Sequence, residues 1–300
     1  MKTGARILIV FFLLAPAGPG HCARTGMSAA AFLGLPAGVR GAALGGAACA
    51  GGGGMELFEN PAAVGYRPGL FVSFSHARLM EDLSYEAAYA AAPLGRGLSL
   101  GAGMQQLGYG SLDLRPNTGA LAGTISPRDR VLALGLGLDV GEGVSLGAAA
   151  KRIESRIYGS ASAAALDLGL NIRASEFSAG LAVQNMGKGL KFHRESSPLP
   201  FNVKLGADIP LRGAWHWFAD LNLPRYGTAW LAAGGERAFR GGADWTLFAR
   251  AGYNTAANDT GGINGFSAGF GLAGRRVALD YALRTMGALG VTHHLGLSWR

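Results

Sequence analysis

Residues 132–139 read Leu132-Ala133-Leu134-Gly135-Leu136-Gly137-Leu138-Asp139. Leucine takes every second position, and small or polar residues fill the positions between. Side chains of a β-strand point alternately to opposite faces, so this stretch as a strand has one greasy face and one small, wet face. Phe201, Val203, Leu205, Ala207 and Ile209 repeat the pattern against Asn202, Lys204, Gly206 and Asp208. About ten such residues, tilted, span a bilayer. Strands that alternate in this way, separated by turns, are the signature of a transmembrane β-barrel. The periodicity predicts fourteen of them, the first at 70–76 and the last at 291–300. The fold class is therefore all-β: an antiparallel transmembrane barrel of about 14 strands over residues 67–300.

Composition agrees. Only 15% of the 300 residues are charged and 49% are hydrophobic, whereas a soluble domain carries about a quarter charged residues. Residues 1–23 read as a secretory signal peptide: Lys2 and Arg6 precede the apolar run Ile7–Leu14, and small residues follow. Ala15-Pro16-Ala17 and the stretch ending at Ala23 both fit a cleavage site; if cleavage removes Cys22, Cys49 has no disulfide partner. Export also argues against nucleic acid as the partner of the +8 net charge, because the basic residues would lie outside the cytoplasm. They fit instead the lumen, the rim, and the lipids and lipopolysaccharide of a bacterial outer membrane.

Residues 24–66 do not alternate. They are rich in Ala and Gly, with Gly51 to Gly54 in a row, and read equally as a compact periplasmic or lumenal segment, which in the lumen would be a plug, or as a flexible leader. Small lumen residues such as Gly101, Gly103, Gly147, Gly169, Gly206, Gly269 and Gly271 leave room for a plug or a nonpolar cargo. Asp139, Asp167, Asp208, Asp220 and Asp280 share the small face with Lys151, Lys204, Arg173 and Arg250, which predicts ion pairs in the lumen. The segment 118–125 is assigned to a loop. Connections 109–129 and 187–199 are expected outside the cell, with Asn117 and Ser196 reachable there and the Gly141 turn in the periplasm. Gly135 is expected to accept Ser more readily than Leu134 accepts Arg.

No enzyme is predicted. Three Gly-x-Ser-x-Gly matches, at 97–101, 143–147 and 265–269, lie inside alternating strands, where no nucleophile elbow forms. His293 and His294 point to opposite faces, so they cannot share a metal; no cofactor is expected. Trp215, Trp217, Tyr253, Tyr281 and Trp299 are placed near strand ends as interface aromatics. Trp299, closing an amphipathic final strand, reads as the signal for the barrel-assembly machinery.

Several blocks resemble the PorV/PorQ family of outer-membrane proteins. They are Gly38 to Ala47 with Gly45-Gly46; Phe58-Glu59-Asn60-Pro61-Ala62; the mid-barrel Gln184-Asn185-Met186-Gly187; and the closing Leu279-Asp280-Tyr281-Ala282 with Leu289-Gly290-Val291-Thr292-His293. Glu59 stands where that family usually has Trp. The resemblance implies a FadL-like barrel that serves as a secretion or surface-assembly accessory, binding secretion-system components or cargo protein. The alternative is a FadL-like channel for hydrophobic small molecules.

Overall fold

A computed structural model describes residues 26–51, 53–115, 119, 121–157, 159–192, 195–242, 244–256 and 262–300. The signal-peptide reading at 1–23 and Asn117 lie outside these residues. The strands, in chain order, are β1 (Phe71–Arg78), β2 (Ser84–Gly95), β3 (Leu98–Gly108), β4 (Leu112–Leu114), β5 (Gly123–Ile125), β6 (Arg128–Gly141), β7 (Val144–Arg156), β8 (Ser160–Arg173), β9 (Ser178–Gly187), β10 (Leu190–Phe192), β11 (Glu195–Ser197), β12 (Asn202–Leu211), β13 (Trp215–Pro224), β14 (Trp230–Gly241), β15 (Trp245–Asn254), β16 (Asn264–Ala273), β17 (Val277–Met286) and β18 (Val291–Trp299). Fourteen of them form one closed antiparallel barrel, and β1 pairs with β18 to shut it. Closure satisfies the backbone groups that an open edge would leave bare, as a lipid environment demands. No helix among the described residues is long and apolar enough to cross a membrane.

The register confirms the alternation. Leu132, Leu134, Leu136 and Leu138 lie exposed on the outer face, while Val131 and Ala133 are buried inside. Trp215, Trp217, Tyr253 and Trp299 are also exposed near strand ends. Tyr281 departs from the expectation: it lies midway along β17, where its ring packs 5.4 Å from Phe270 and its hydroxyl meets His293 Nδ1 at 2.7 Å. An aromatic there is held by its cross-strand neighbours.

The two barrel ends differ. At one, every connection is short: 96–97, 142–143, 174–177, 212–214, 242–244 and 274–276. Gly97, Gly141 and Gly143 have positive φ there, which tight turns require. The opposite end carries the long connections. Two hold small hairpins, β4 with β5 and β10 with β11. Of the stretch read as a loop, 118–125, the described residues 119 and 121–125 are outside the barrel wall, and Gly123–Ile125 is a strand of a loop hairpin. Ser196 lies in the other hairpin, at the end away from Gly141.

Candidate functional site

The chain before β1 runs through the barrel from the long-loop end to the short-turn end. Ala29 N–H donates to Pro198 O at 2.9 Å, and Phe32 is buried with Leu190 and Leu199 at the long-loop mouth. There the Tyr109 hydroxyl donates to Asp129 at 2.8 Å; burial, with help from this bond, pushes its pKa up, so it stays a neutral donor. A short helix, Val39–Ala43, then packs against β15 to β18. Gly45 and Gly46, both at positive φ, turn the chain back. A second short helix, Glu56–Glu59, leads into a 3₁₀ turn, Pro61–Tyr66, against β3, β6, β7 and β8. Tyr66 closes the run by donating to Gly143 O at 2.5 Å, at the short-turn end.

Lumen glycines mark this path. A Cβ at Gly147 would overlap Pro61 and Ala62, one at Gly169 would overlap Asn60, and one at Gly269 would strike Ala43. Phe58 lies against Gly103, Val64 against Gly101 and Cys49 against Gly206. Gly271 faces Arg250 and Asp280 instead. The same geometry shows less room at Gly135 than its small side chain suggests. A Cβ there would stand 2.6 Å from Leu57 and 2.9 Å from the Ala149 Cβ, so Ser is crowded by the segment packed on that face.

Buried charges tie the segment to the wall. Arg40 reaches both carboxylate oxygens of Glu236, at 2.9 and 3.0 Å. Arg250 joins Glu236 at 2.6 Å and Asp280 at 2.5 Å. Lys204 meets Glu59 at 2.8 Å, and Lys151 meets Asp167 at 2.5 Å. Asp220 accepts from the backbone N–H groups of Ala48 and Cys49, at 2.9 and 3.0 Å. The serines inside two of the Gly-x-Ser-x-Gly matches serve as tethers: Ser145 donates to Ala62 O at 2.6 Å and Ser267 to Ala43 O at 2.9 Å.

The residues singled out from sequence fall into three places. Gly45, Asn60, Pro61 and Ala62 are in the lumen. Gly45 accepts from Asn254 and donates to Ser267. The fully buried Asn60 amide donates to Cys49 O at 3.0 Å and to Leu170 O at 3.1 Å, while its oxygen accepts from Ala62 N–H at 3.1 Å. Asn185, at positive φ, also faces inward: it accepts from Lys151 and donates to Asp167 and Pro200. The closing hairpin is split. Asp280 points into the lumen, whereas Tyr281, His293 and Trp299 are on the exterior; Gly290 turns the loop between β17 and β18 at positive φ. Gly187 approaches the Ala164 carbonyl closely. Sequence reasoning missed Arg40, Glu56, Glu59 and Glu236. Glu236 was within reach, because it shares its strand parity with Ala232 and Gly234 on the small face.

The lumen is divided in character. From the long-loop mouth down the β2-to-β9 side, the wall presents Tyr85, Leu107, Val131 and Ile153 to Phe32, Leu57 and Phe58 of the segment. At the short-turn end lies a cavity of about 450 Å³, lined by Arg40, Glu56, Arg67, Arg173, Glu236 and Arg250 among others. Arg67 pairs with Glu56 there and stacks 3.7 Å over Phe71.

No protein-family model and no curated protein matches the sequence. Solved structures share the fold. The Ralstonia pickettii toluene transporter TbuX superposes with a TM-score of 0.57 at 16% identity, over 88% of this chain and 98% of that one. The CymD monoaromatic hydrocarbon channel gives 0.56 at 14%, over 88% and 96%. A Pseudomonas aeruginosa FadL homologue gives 0.56 at 12%, over 87% and 98%. The fold is thus that of FadL-like barrels; TbuX is a toluene transporter and CymD a monoaromatic hydrocarbon channel. These likenesses do not extend to PorV/PorQ proteins specifically, and none of them supports a secretion role.

Proposed function

We propose that the protein is an outer-membrane channel for small hydrophobic molecules, with its N-terminal segment as the plug in the path. The observation that carries this reading is the apolar wall running inward from the long-loop mouth. Tyr85, Leu107, Val131 and Ile153 line it, where a water-filled porin would present clustered charge. Apolar side chains offer a hydrocarbon an environment close to its own, while ions and sugars would lose hydration there. The shared fold with hydrocarbon channels supports the same assignment.

Uptake in cells with an intact outer membrane tests it. Cells carrying the protein should take up radiolabelled toluene or a fatty acid several-fold faster than cells without it, with sugar entry unchanged. Faster sugar entry with unchanged hydrocarbon entry would make the protein a hydrophilic pore. No change in either would remove the channel role.

A further inference from the structure

On one part of the exterior wall the apolar band gives way to a cluster of arginines. The outward parity of β6 runs through Leu132, Leu134, Leu136, Leu138 and Val140, all exposed. Towards the long-loop end the same parity continues as Arg130 and Arg128. On β7 it becomes Arg152, Glu154 and Arg156. The apolar band of an outer-membrane barrel is about 25 Å tall, and residues 132–140 account for most of it at about 3.3 Å per residue along a tilted strand. Arg128, Arg130 and Arg156 therefore lie just past the band, at the level of lipid headgroups, and Arg152, opposite Leu132, stands at its edge.

Their pairing leaves a demand for negative charge. Arg128 is directly opposite Arg156 across the β6–β7 ladder, and like charges placed so are destabilising. Neither guanidinium has a hydrogen bond or ion pair among the described residues. Arg130 donates twice to Gln106 Oε1, at 3.0 and 2.7 Å, and Arg152 is held by Glu154 at 2.7 Å. Between these side chains is a hollow of about 400 Å³, lined by Arg128, Arg130, Glu154, Arg156, Gly159 and Ser160.

We propose that this hollow binds the phosphate groups of the phosphorylated lipid of lipopolysaccharide. The planar guanidinium fork matches a phosphate's paired oxygens, and an anion between Arg128 and Arg156 relieves their repulsion. The occupant is a lipid because the hollow opens onto a greasy wall, Leu132 and Leu134 on β6 and Leu166 on β8, along which acyl chains can lie. The inference rests on the outer-membrane placement with the long connections outward, and it is independent of what the lumen conducts.

The test is native mass spectrometry of the detergent-solubilised full chain with lipid A, dephosphorylated lipid A, or inorganic phosphate. The parent should retain lipid A at least about tenfold more tightly than the dephosphorylated form, a gap of about 1.4 kcal/mol. Arg128→Gln with Arg156→Gln should remove that preference. The paired Lys substitutions should keep part of it, since they keep the charge but lose the fork. Arg275→Gln, at a short turn beside Asp244, should change nothing. Circular dichroism confirms that each variant remains a folded barrel. Equal lipid A retention by parent and Gln variant would overturn the proposal. So would displacement of lipid A by millimolar inorganic phosphate, which would reduce the hollow to a general anion site.

Discussion

Lys204→Met is expected to loosen the N-terminal segment within an otherwise intact barrel. Lys204 and Glu59 form a nearly dry pair, their side chains 9% and 6% exposed. Removing one partner strands a buried carboxylate, at a cost of about 3–5 kcal/mol. The barrel wall keeps its own ladder of hydrogen bonds, so the strain falls on the segment, which has little regular structure. Cys49 reports the result: it is buried beside Gly206 and, among the described residues, is the free cysteine. Its alkylation by a small maleimide should be slow in the parent and faster by roughly a hundredfold or more in the variant, the rate equivalent of that cost. Glu59→Gln in the Lys204→Met background should recover much of the protection, because the buried charge is then gone. Unchanged Cys49 reactivity in Lys204→Met would show that the pair does not hold the segment.

Leu134→Arg should impair folding into a bilayer by about 2–4 kcal/mol, the cost of Arg near the midplane on a lipid-facing wall. Leu134 is 57% exposed in the middle of the leucine run on β6. Leu112 is nearly as exposed, at 49%, but it lies in the β4–β5 hairpin beyond the barrel wall, so Leu112→Arg should be near neutral. Folding yields into lipid vesicles, read by heat-modifiable mobility on gels, compare the two. Equal yields would mean that the leucine face does not meet lipid.

The fourteen strands were legible because period-two alternation is a local signal, carried by each segment alone. Leu132 to Leu138 needs no partner to reveal its two faces. Strand ends were less legible: β7 and β14 continue past the last clear alternation, to Arg156 and Gly241, because polar residues can extend a ladder beyond the membrane. The lumen network was only half visible. Parity placed Lys204 and Asp220 inside, but Glu59 and Arg40 belong to a segment without periodicity, and nothing in their neighbours announces which strand they will meet. Glycine was informative in a limited way. Small residues at 147, 169 and 206 signalled room, yet only the structure shows Pro61, Asn60 and Cys49 taking it. Gly135 shows the cost of reading space from sequence, since Leu57 already occupies what looked open. The arginine hollow needed one further step, because Arg128, Arg130 and Arg152 share outward parity with the leucines but their significance depends on the cross-strand register.

The chain before β1 is threaded through the barrel it precedes. Val39 and Gly296 report on this threading, being far apart in sequence and adjacent across the lumen: a Cβ on Gly296 would lie 3.3 Å from that of Val39, close to the ~3.8 Å of a disulfide. In a Val39→Cys, Gly296→Cys variant oxidised in native membranes, peptide mass spectrometry should find the two cysteines linked to each other in most of the protein. Free, alkylated cysteines at both positions in a folded barrel would place the segment outside the lumen.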